Sequence, residues 1–194
     1  PRRIADVMAR LAAIGHIRIV RFHTRIPVVE PAAVTPAMVE ALKAPDGLTT
    51  YVAVHANHPR ELTAEARAAC ARLADAGIPL LGQTVLLAGV NDDPDVLGAL
   101  MRGFVEARVK PYYLHHPDLA AGTAHLRVGL EKGQAVAAAL RGRYSGLCQP
   151  TYVLDIPGGH GKVPAGANYL ETSEDGGWRA RDPFGGVHAY PPST

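Results

Sequence analysis

Apolar and polar positions alternate along this chain with two periods, and the switches between them divide it into strands and helices. Short runs rich in β-branched and aromatic residues begin near positions 17, 51, 80 and 111. Each run precedes a stretch in which apolar residues recur every three to four positions, as on one face of a helix. A repeat of about thirty residues is typical of right-handed βαβ units, so the pattern predicts a parallel sheet.

Five helices are expected between and around these strands. Thr35-Pro36 is typical of an N-cap followed by the first turn of a helix, and Gly89-Val-Asn-Asp-Asp-Pro94 starts another capped helix. The expected helices cover 4–14, 36–43, 63–76, a segment that starts at Pro94, and 131–140. In the helix that starts at Pro94, the residues expected to face the core are Val96, Leu97, Leu100, Met101 and Phe104. Four or five βα units predict an α/β fold with a partial, open parallel βα barrel, because a closed barrel needs eight.

Polar residues follow the predicted strands at the points where the strands end. They are His23 and Arg25, His55 and Asn57, Asn91 and Asp92, and Asp118. Because ligands of parallel sheets gather at the carboxyl ends of the strands, these residues predict a single binding face.

The segment Thr151-Tyr-Val-Leu-Asp-Ile-Pro-Gly-Gly-His-Gly-Lys162 reads as a buried strand followed by a tight glycine turn. Lys162 stands at the mouth of that turn in a chain whose basic residues are mostly arginines. An amine can form an imine with an aldehyde, whereas a guanidinium cannot, so Lys162 is a candidate for such chemistry. The alternative is a solvated lysine after a flexible loop.

Composition narrows the classes of protein that fit. The 194 residues are 47% hydrophobic and 20% charged, with a net charge of +2 and no basic run, which disfavours nucleic acid as a partner. No apolar stretch is long enough to span a membrane and no secretory signal opens the chain. Cys70 and Cys148 have no metal-ligand spacing, so we expect two reduced thiols in a cytoplasmic protein.

Two familiar kinds of site fit the sequence poorly. A phosphate-binding P-loop needs two more residues between its glycines and a Ser or Thr after the lysine, where Val163 follows Lys162. A zinc site built from His55, His58, His115 or His116 is disfavoured, because adjacent residues of a strand cannot both face one ion and no carboxylate spacing supports it.

Asp118 and Asp155 are carboxylates beside apolar sequence, where an unpaired charge would be costly. They could form structural salt bridges with arginines, or they could receive a cationic group of a substrate. Two anionic receptors near an imine-forming lysine suggest a basic amino acid held on pyridoxal phosphate.

Several segments occur together in the order and at about the spacing of one known family. They are His55-Ala-Asn-His-Pro59, Gly82-Gln-Thr-Val-Leu-Leu87, Gly89-Val-Asn-Asp92, Pro111-Tyr-Tyr-Leu114, Asp118-Leu119 and Asp155-Ile-Pro-Gly-Gly-His-Gly-Lys162. Together they resemble the lysine 2,3-aminomutase family, and the resemblance extends from the first helix to Tyr169. That family is a radical S-adenosylmethionine group built on a partial βα barrel, so the resemblance implies a fold of that type.

The resemblance also implies roles for individual residues. Lys162, beside Gly158, Gly159 and Gly161, matches the lysine that holds pyridoxal phosphate as an internal aldimine. Asp118 and Asp155 match the carboxylates that bind the side-chain ammonium of L-lysine, and two aspartates favour lysine over glutamate. His55, Asn57 and Gln83 match the region lining the S-adenosylmethionine site.

The implied reaction is the interconversion of L-lysine and β-lysine by amino migration. A reduced 4Fe-4S cluster cleaves S-adenosylmethionine, and the resulting 5′-deoxyadenosyl radical removes hydrogen from carbon 3. The carboxylates position carbon 3 for this step.

The chain departs from the family, because the cluster-binding CxxxCxxC motif, the first barrel strands and the family's usual C-terminal cysteines are missing. We therefore expect the C-terminal portion of a longer protein, which alone binds no cluster and is inactive, and which forms a homo-oligomer at full length. The expected parts are 1–150 as βα repeats of the barrel, 151–170 as the lysine strand and glycine loop, and 171–194 as a C-terminal tail or arm around Trp178 and Phe184.

Three alternatives stay open at this point. A related enzyme makes β-lysine for attachment to translation elongation factor P and shares the chemistry. The chain could instead be a non-catalytic module that binds pyridoxal phosphate or a nucleotide. It could also be an ordinary βα-barrel protein with Lys162 on its surface.

Overall fold

Five parallel strands and one antiparallel strand form the main sheet, as seen in a computed structural model that describes residues 1–173 and 176–191. The strands are β1 (Ile19–Thr24), β2 (Thr49–His55), β3 (Leu80–Val85), β4 (Val109–His115), β5 (Thr151–Asp155) and β6 (Lys162–Pro164). Their order across the sheet is their order in the chain. The sheet curls into half a barrel, which confirms the expected α/β fold with an open parallel sheet.

Six α-helices accompany the strands in the residues that the structure describes. They are α1 (Arg2–Ala12), α2 (Ile26–Val29), α3 (Pro36–Leu42), α4 (Ala64–Asp75), α5 (Pro94–Glu106) and α6 (Leu130–Ala138). The predicted cap of α3 is confirmed, because the Met38 N–H donates to Thr35 Oγ1 over 3.2 Å. Within the described parts of the chain, no helix has both the length and the apolar character needed to cross a bilayer.

The core lies between the main sheet and the helices packed against it. Leu97, Leu100, Met101 and Phe104 of α5 are all buried, as the spacing predicted, while Val96 is only partly buried. The inward residues predicted for α4 are buried as well; they are Ala66, Cys70 and Leu73. Burying these side chains against the sheet fixes the strands whose carboxyl ends carry the polar residues.

The strand that contains Lys162 corrects the expectation of a purely parallel sheet. β6 pairs antiparallel with β5, and Lys162 lies directly opposite Asp155. The connection of residues 156–161 is too short for a crossover, so the two strands can only form a hairpin. Lys162 therefore belongs to a strand and does not extend from a mobile loop.

An extra residue in β4 shifts the register between β3 and β4. Gly82 lies opposite Pro111, but Gln83 lies opposite Tyr113, so Tyr112 has no partner in β3. Such a bulge breaks the alternation of side chains across the sheet. The rings of Tyr112 and Tyr113 consequently lie only 3.8 Å apart between centroids, although the two residues are neighbours in a strand.

A second sheet follows the first and contains three antiparallel strands. They are β7 (Leu170–Thr172), β8 (Trp178–Arg181) and β9 (Val187–Tyr190). They occupy the part of the chain expected to be a tail or arm, 171–194, of which residues 174, 175 and 192–194 lie outside the described residues.

Candidate active site at the carboxyl end of the sheet

The register of the sheet places several predicted site residues on one face. His55 lies opposite Gln83, which lies opposite Tyr113. Two positions further along β4, His115 lies beside Val153 of β5. Paired residues point to the same side of a sheet and residues two apart in a strand share a face. These side chains therefore line the same face near the ends of β2, β3 and β4.

The side chain of Lys162 is held by three groups at this edge. Its Nζ forms an ion pair with Asp155 Oδ2 and lies 3.3 Å from His115 Nδ1. It also lies 5.7 Å from the centroid of the Tyr113 ring. The Lys162 side chain is 29% exposed, so the amine is both positioned and accessible.

The glycine turn between β5 and β6 makes this cross-strand pair possible. Gly158, Gly159 and Gly161 have φ angles of +89°, +80° and +97°, a region that residues with a Cβ rarely adopt. The Ile156 N–H donates to the Gly161 carbonyl over 2.9 Å and closes the turn. The three glycines are thus explained by backbone geometry, and their predicted contact with a cofactor stays a prediction.

Asp155 has two cationic or polar neighbours, and both contact the same oxygen. Oδ2 accepts from the Lys162 ammonium and lies 3.3 Å from His115 Nδ1. The hydrogen bond from Lys162 lowers the pKa of Asp155, and the contact with His115 lowers it further, so the carboxylate is charged at neutral pH. The Asp155 side chain is 41% exposed. Within the described residues, its side-chain contacts use Oδ2 and none uses Oδ1.

Asp118 lies apart from this group, in the exposed loop that follows β4. The described residues offer it no ion pair. Burial lowers the pKa of His115 and of His116 overall, and the negative charge of Asp118 opposes this effect on each imidazole. Asp118 is thus close enough to influence the end of β4 electrostatically, and its predicted contact with a substrate ammonium stays a prediction.

His55 and Gln83 border a cavity of about 170 Å³ at the ends of β1 to β3. The other lining residues are His23, Thr24 and Arg25. Asn57 does not line this cavity; its Oδ1 lies 3.0 Å from His55 Nε2 and accepts the Val85 N–H over 3.0 Å. Burial lowers the pKa of His55, so its imidazole is neutral at pH 7. The structure therefore brings together His55 and Gln83, and Asn57 supports His55 and the backbone of Val85.

Asn91 is also structural, which corrects its place on the expected binding face. Its side chain is fully buried. Nδ2 donates to the carbonyls of Asn57 and Val85 over 2.8 and 2.9 Å, and Oδ1 accepts the Leu87 N–H over 2.7 Å. Its neighbour Asp92 is occupied by the Lys132 ammonium. A polar residue that follows a strand can form hydrogen bonds with the backbone N–H and C=O groups of a buried loop, and it then has no need of a ligand.

Replacing Asn91 by alanine is expected to lower the free energy of unfolding by about 3 kcal/mol or more. The change leaves one N–H and two carbonyl groups of the buried loop without their partner, and each such group costs about 1–3 kcal/mol. Urea denaturation followed by circular dichroism measures the loss. Asn168→Ala is the control, because the Asn168 side chain accepts only an exposed N–H from Leu170 over 3.3 Å. A loss below about 1 kcal/mol for Asn91→Ala would contradict this structural role.

Sequence reasoning missed His115 as a member of the site, because it weighed this residue only as a zinc ligand together with His116. The two histidines point to different partners. His115 faces Asp155 and Lys162, whereas His116 Nδ1 lies 2.7 Å from the Tyr152 hydroxyl. The period-two alternation of β4, which places Tyr113 and His115 on one face, was the available signal.

Known proteins share much of this sequence. Residues 137–191 match the family model described as lysine-2,3-aminomutase. The L-lysine 2,3-aminomutases of Acetoanaerobium sticklandii and Clostridium subterminale are 47% and 46% identical over 87% and 84% of this chain, and the matches cover 40% and 39% of those proteins. The glutamate 2,3-aminomutase of Clostridioides difficile is 38% identical over 84% of the chain and 38% of its own length. Relatives named L-lysine 2,3-aminomutase thus match most of this chain, which spans about two fifths of their length.

Proposed function

We propose that this chain is the cofactor-carrying portion of a lysine 2,3-aminomutase, which interconverts L-lysine and β-lysine. The observation that supports it best is the convergence of Lys162, Asp155 and His115 at the carboxyl end of the sheet. A nucleophilic amine that can bind an aldehyde cofactor and a carboxylate that can bind a second ammonium are what the binding of a diamino acid on such a cofactor requires. The names of the relatives favour the same assignment.

Lys162 would hold pyridoxal phosphate through Nζ. The residues present fit this role, because the amine is accessible and its ion pair with Asp155 is partly exposed. Such pairs stabilise by only about 0–1 kcal/mol, so the amine can leave Asp155 at little cost. When bound, the cofactor supplies the aldehyde carbon that carries the migrating amino nitrogen.

Asp155 and Asp118 would receive the side-chain ammonium of lysine. Asp155 already binds an ammonium, that of Lys162, which supports its suitability for a primary amine. Both contacts of its carboxylate use Oδ2, which leaves Oδ1 for a further donor. Two carboxylates disfavour a substrate whose side chain ends in a carboxylate, so we propose lysine rather than glutamate.

His55 and Gln83, supported by Asn57, would border part of the S-adenosylmethionine site. The cavity they line with His23, Thr24 and Arg25 measures about 170 Å³, below the roughly 300–1,000 Å³ of complete ligand pockets. It can therefore hold only part of this cofactor, and other surfaces of the whole protein would complete the site.

The described residues do not fit a 4Fe-4S cluster. Cys70 and Cys148 are both buried, and burial raises the pKa of the Cys70 thiol to about 11, whereas cluster ligands are thiolates. No group of three His, Cys, Asp or Glu side chains in residues 1–173 and 176–191 could hold a metal ion. We therefore derive no step through a cluster from this chain.

For the whole protein, we propose that further strands extend the half barrel to the radical S-adenosylmethionine type. The relatives are more than twice as long as the matched segment, which supports this. The parts 1–150, 151–170 and 171–194, assembly into a homo-oligomer and a cytoplasmic location stay predictions.

The proposal is tested by product analysis on the whole protein. Under anaerobic conditions, with pyridoxal phosphate, S-adenosylmethionine, iron, sulfide and a reductant, ¹³C-labelled L-lysine is expected to yield β-lysine, detected by NMR. L-glutamate under the same conditions is expected to yield no 3-amino product. Conversion of glutamate in preference to lysine would contradict the assigned substrate, and conversion of neither would contradict the assigned reaction.

A further inference from the structure

The imidazole of His115 lies beside the amine that the proposed function makes reactive. Nδ1 is 3.3 Å from Lys162 Nζ and 3.3 Å from Asp155 Oδ2. The His115 side chain is only 14% exposed, so this one nitrogen is held between a proton donor and a proton acceptor. A side chain in such a position can pass protons to and from the reacting nitrogen.

The second ring nitrogen of His115 leaves both tautomers accessible. Nε2 is buried and has no hydrogen-bond partner in the described chain. In many functional histidines the partner of the second nitrogen fixes the tautomer. Since Nε2 has no such partner here, Nδ1 can accept from Lys162 or donate to Asp155. His116 differs, because the Tyr152 hydroxyl engages its Nδ1 over 2.7 Å.

Charged groups on three sides set the protonation state of His115. Burial lowers its pKa, the Lys162 ammonium lowers it further, and Asp155 and Asp118 oppose these effects. The ring of Tyr113, in the same strand, also packs against His115, with 5.7 Å between the two ring centroids. Because the net direction is downward from the ordinary imidazole value of about 6.5, His115 is neutral at pH 7 and can accept a proton.

We propose that His115 is a catalytic residue that carries protons between the incoming substrate amine and Lys162 when one replaces the other on the cofactor, an inference that rests on the proposed function. The incoming ammonium gives one proton to His115 Nδ1. Its nitrogen then bonds to the former aldehyde carbon of the cofactor, which is bonded to Lys162 Nζ. The carbon–Nζ bond breaks, and its electron pair returns to Nζ.

Two protons pass from the incoming nitrogen to Nζ in all, one before and one after the new bond forms. His115 carries them in turn, so the net charge of the site is unchanged. In its protonated form the imidazole is stabilised by Asp155, whose Oδ2 lies 3.3 Å from the same Nδ1.

The test measures amine exchange directly and needs no turnover. The chain is loaded with pyridoxal phosphate, methylamine is added, and release of the cofactor from Lys162 is followed by stopped-flow absorbance. His115→Gln is expected to slow loading and release by about 10²-fold to 10⁴-fold, the usual contribution of a general acid–base group. The amount of pyridoxal phosphate bound at equilibrium should stay within about twofold of that of the unsubstituted chain, because a proton carrier changes the rates of a reaction and not its equilibrium.

The pH dependence separates this role from a structural one. In the unsubstituted chain the exchange rate should fall as the pH drops through the lowered pKa of His115, below about 6.5, because the base form is lost. His115→Gln should lack this inflection, and added imidazole should restore part of the rate to His115→Ala. His116→Gln, a change at the adjacent histidine, should exchange at the normal rate.

Two negative results have different meanings. If His115→Gln exchanges at the normal rate, or loses binding and rate in equal proportion, the inference about His115 is overturned while the proposed function stands. If the unsubstituted chain is not loaded at Lys162, the proposed function fails and this inference fails with it.

Discussion

Replacing Lys162 by arginine is expected to abolish covalent attachment of pyridoxal phosphate and to reduce turnover of the whole protein to background. Arginine keeps the positive charge opposite Asp155, so the cross-strand pair and the stability of the hairpin are retained. Its guanidinium stays protonated at any accessible pH and cannot attack an aldehyde. The absorbance of bound cofactor and the rate of β-lysine formation measure the two effects.

Lys132→Arg is the matched control for this change. Lys132 also forms an ion pair with an aspartate, Asp92, and its side chain is more exposed than that of Lys162. Because it lies outside the proposed site, its replacement should leave cofactor attachment and turnover unchanged. Cofactor attachment that persists in Lys162→Arg would contradict the assignment of Lys162.

Replacing Asp155 by asparagine is expected to lower kcat/KM for L-lysine by up to about fivefold. Asparagine keeps the size of the side chain but cannot balance an ammonium, and an ion pair at a carboxylate that is 41% exposed contributes up to about 1 kcal/mol. Each 1.4 kcal/mol corresponds to a factor of ten. Steady-state kinetics on the whole protein measure the loss, while the amount of pyridoxal phosphate bound at saturation should change little.

The pH dependence of this interaction follows from the lowered pKa of Asp155. The contribution of the carboxylate is present above the ordinary aspartate value of about 3.9 and is lost only as the pH falls through the lowered value. The affinity for the lysine side chain should therefore be constant from neutral pH down to about pH 4 as far as Asp155 is concerned. Asp75→Asn is the control, since Asp75 pairs with Arg108 on an exposed surface. Equal losses for Asp155→Asn and Asp75→Asn would contradict a specific role.

The spacing of apolar residues was sufficient to predict the parallel strands and five of the six α-helices in the described residues, whereas the short helix α2 was not predicted. In α5, for instance, Leu97, Leu100 and Phe104 recur at helical spacing and are buried. The apolar stripe of an amphipathic helix is a property of the local sequence, which makes it readable from the pattern. The glycine turn was recognised in the same way, because positive φ angles restrict the residue type.

The partners of individual polar residues could not be read from local patterns. Asn91 follows a predicted strand as His55 does. It is nevertheless buried, and its side chain forms hydrogen bonds with three backbone groups. His115 joins Lys162 only because β4 lies next to β5 and β5 next to β6. The bulge at Tyr112 depends on the register between β3 and β4, which involves residues thirty positions apart. Each of these features is decided by contacts between distant segments.

The measurement that tests the central claim most directly is reductive trapping. The chain is incubated with pyridoxal phosphate, reduced with borohydride, digested and analysed by mass spectrometry. We expect one pyridoxyl group per chain, on the peptide that contains Lys162, and none in Lys162→Arg. The chain has three other lysines, Lys43, Lys110 and Lys132. Modification of those lysines to the same extent as Lys162, or no modification of Lys162, would contradict the proposal that this chain carries the cofactor of an aminomutase.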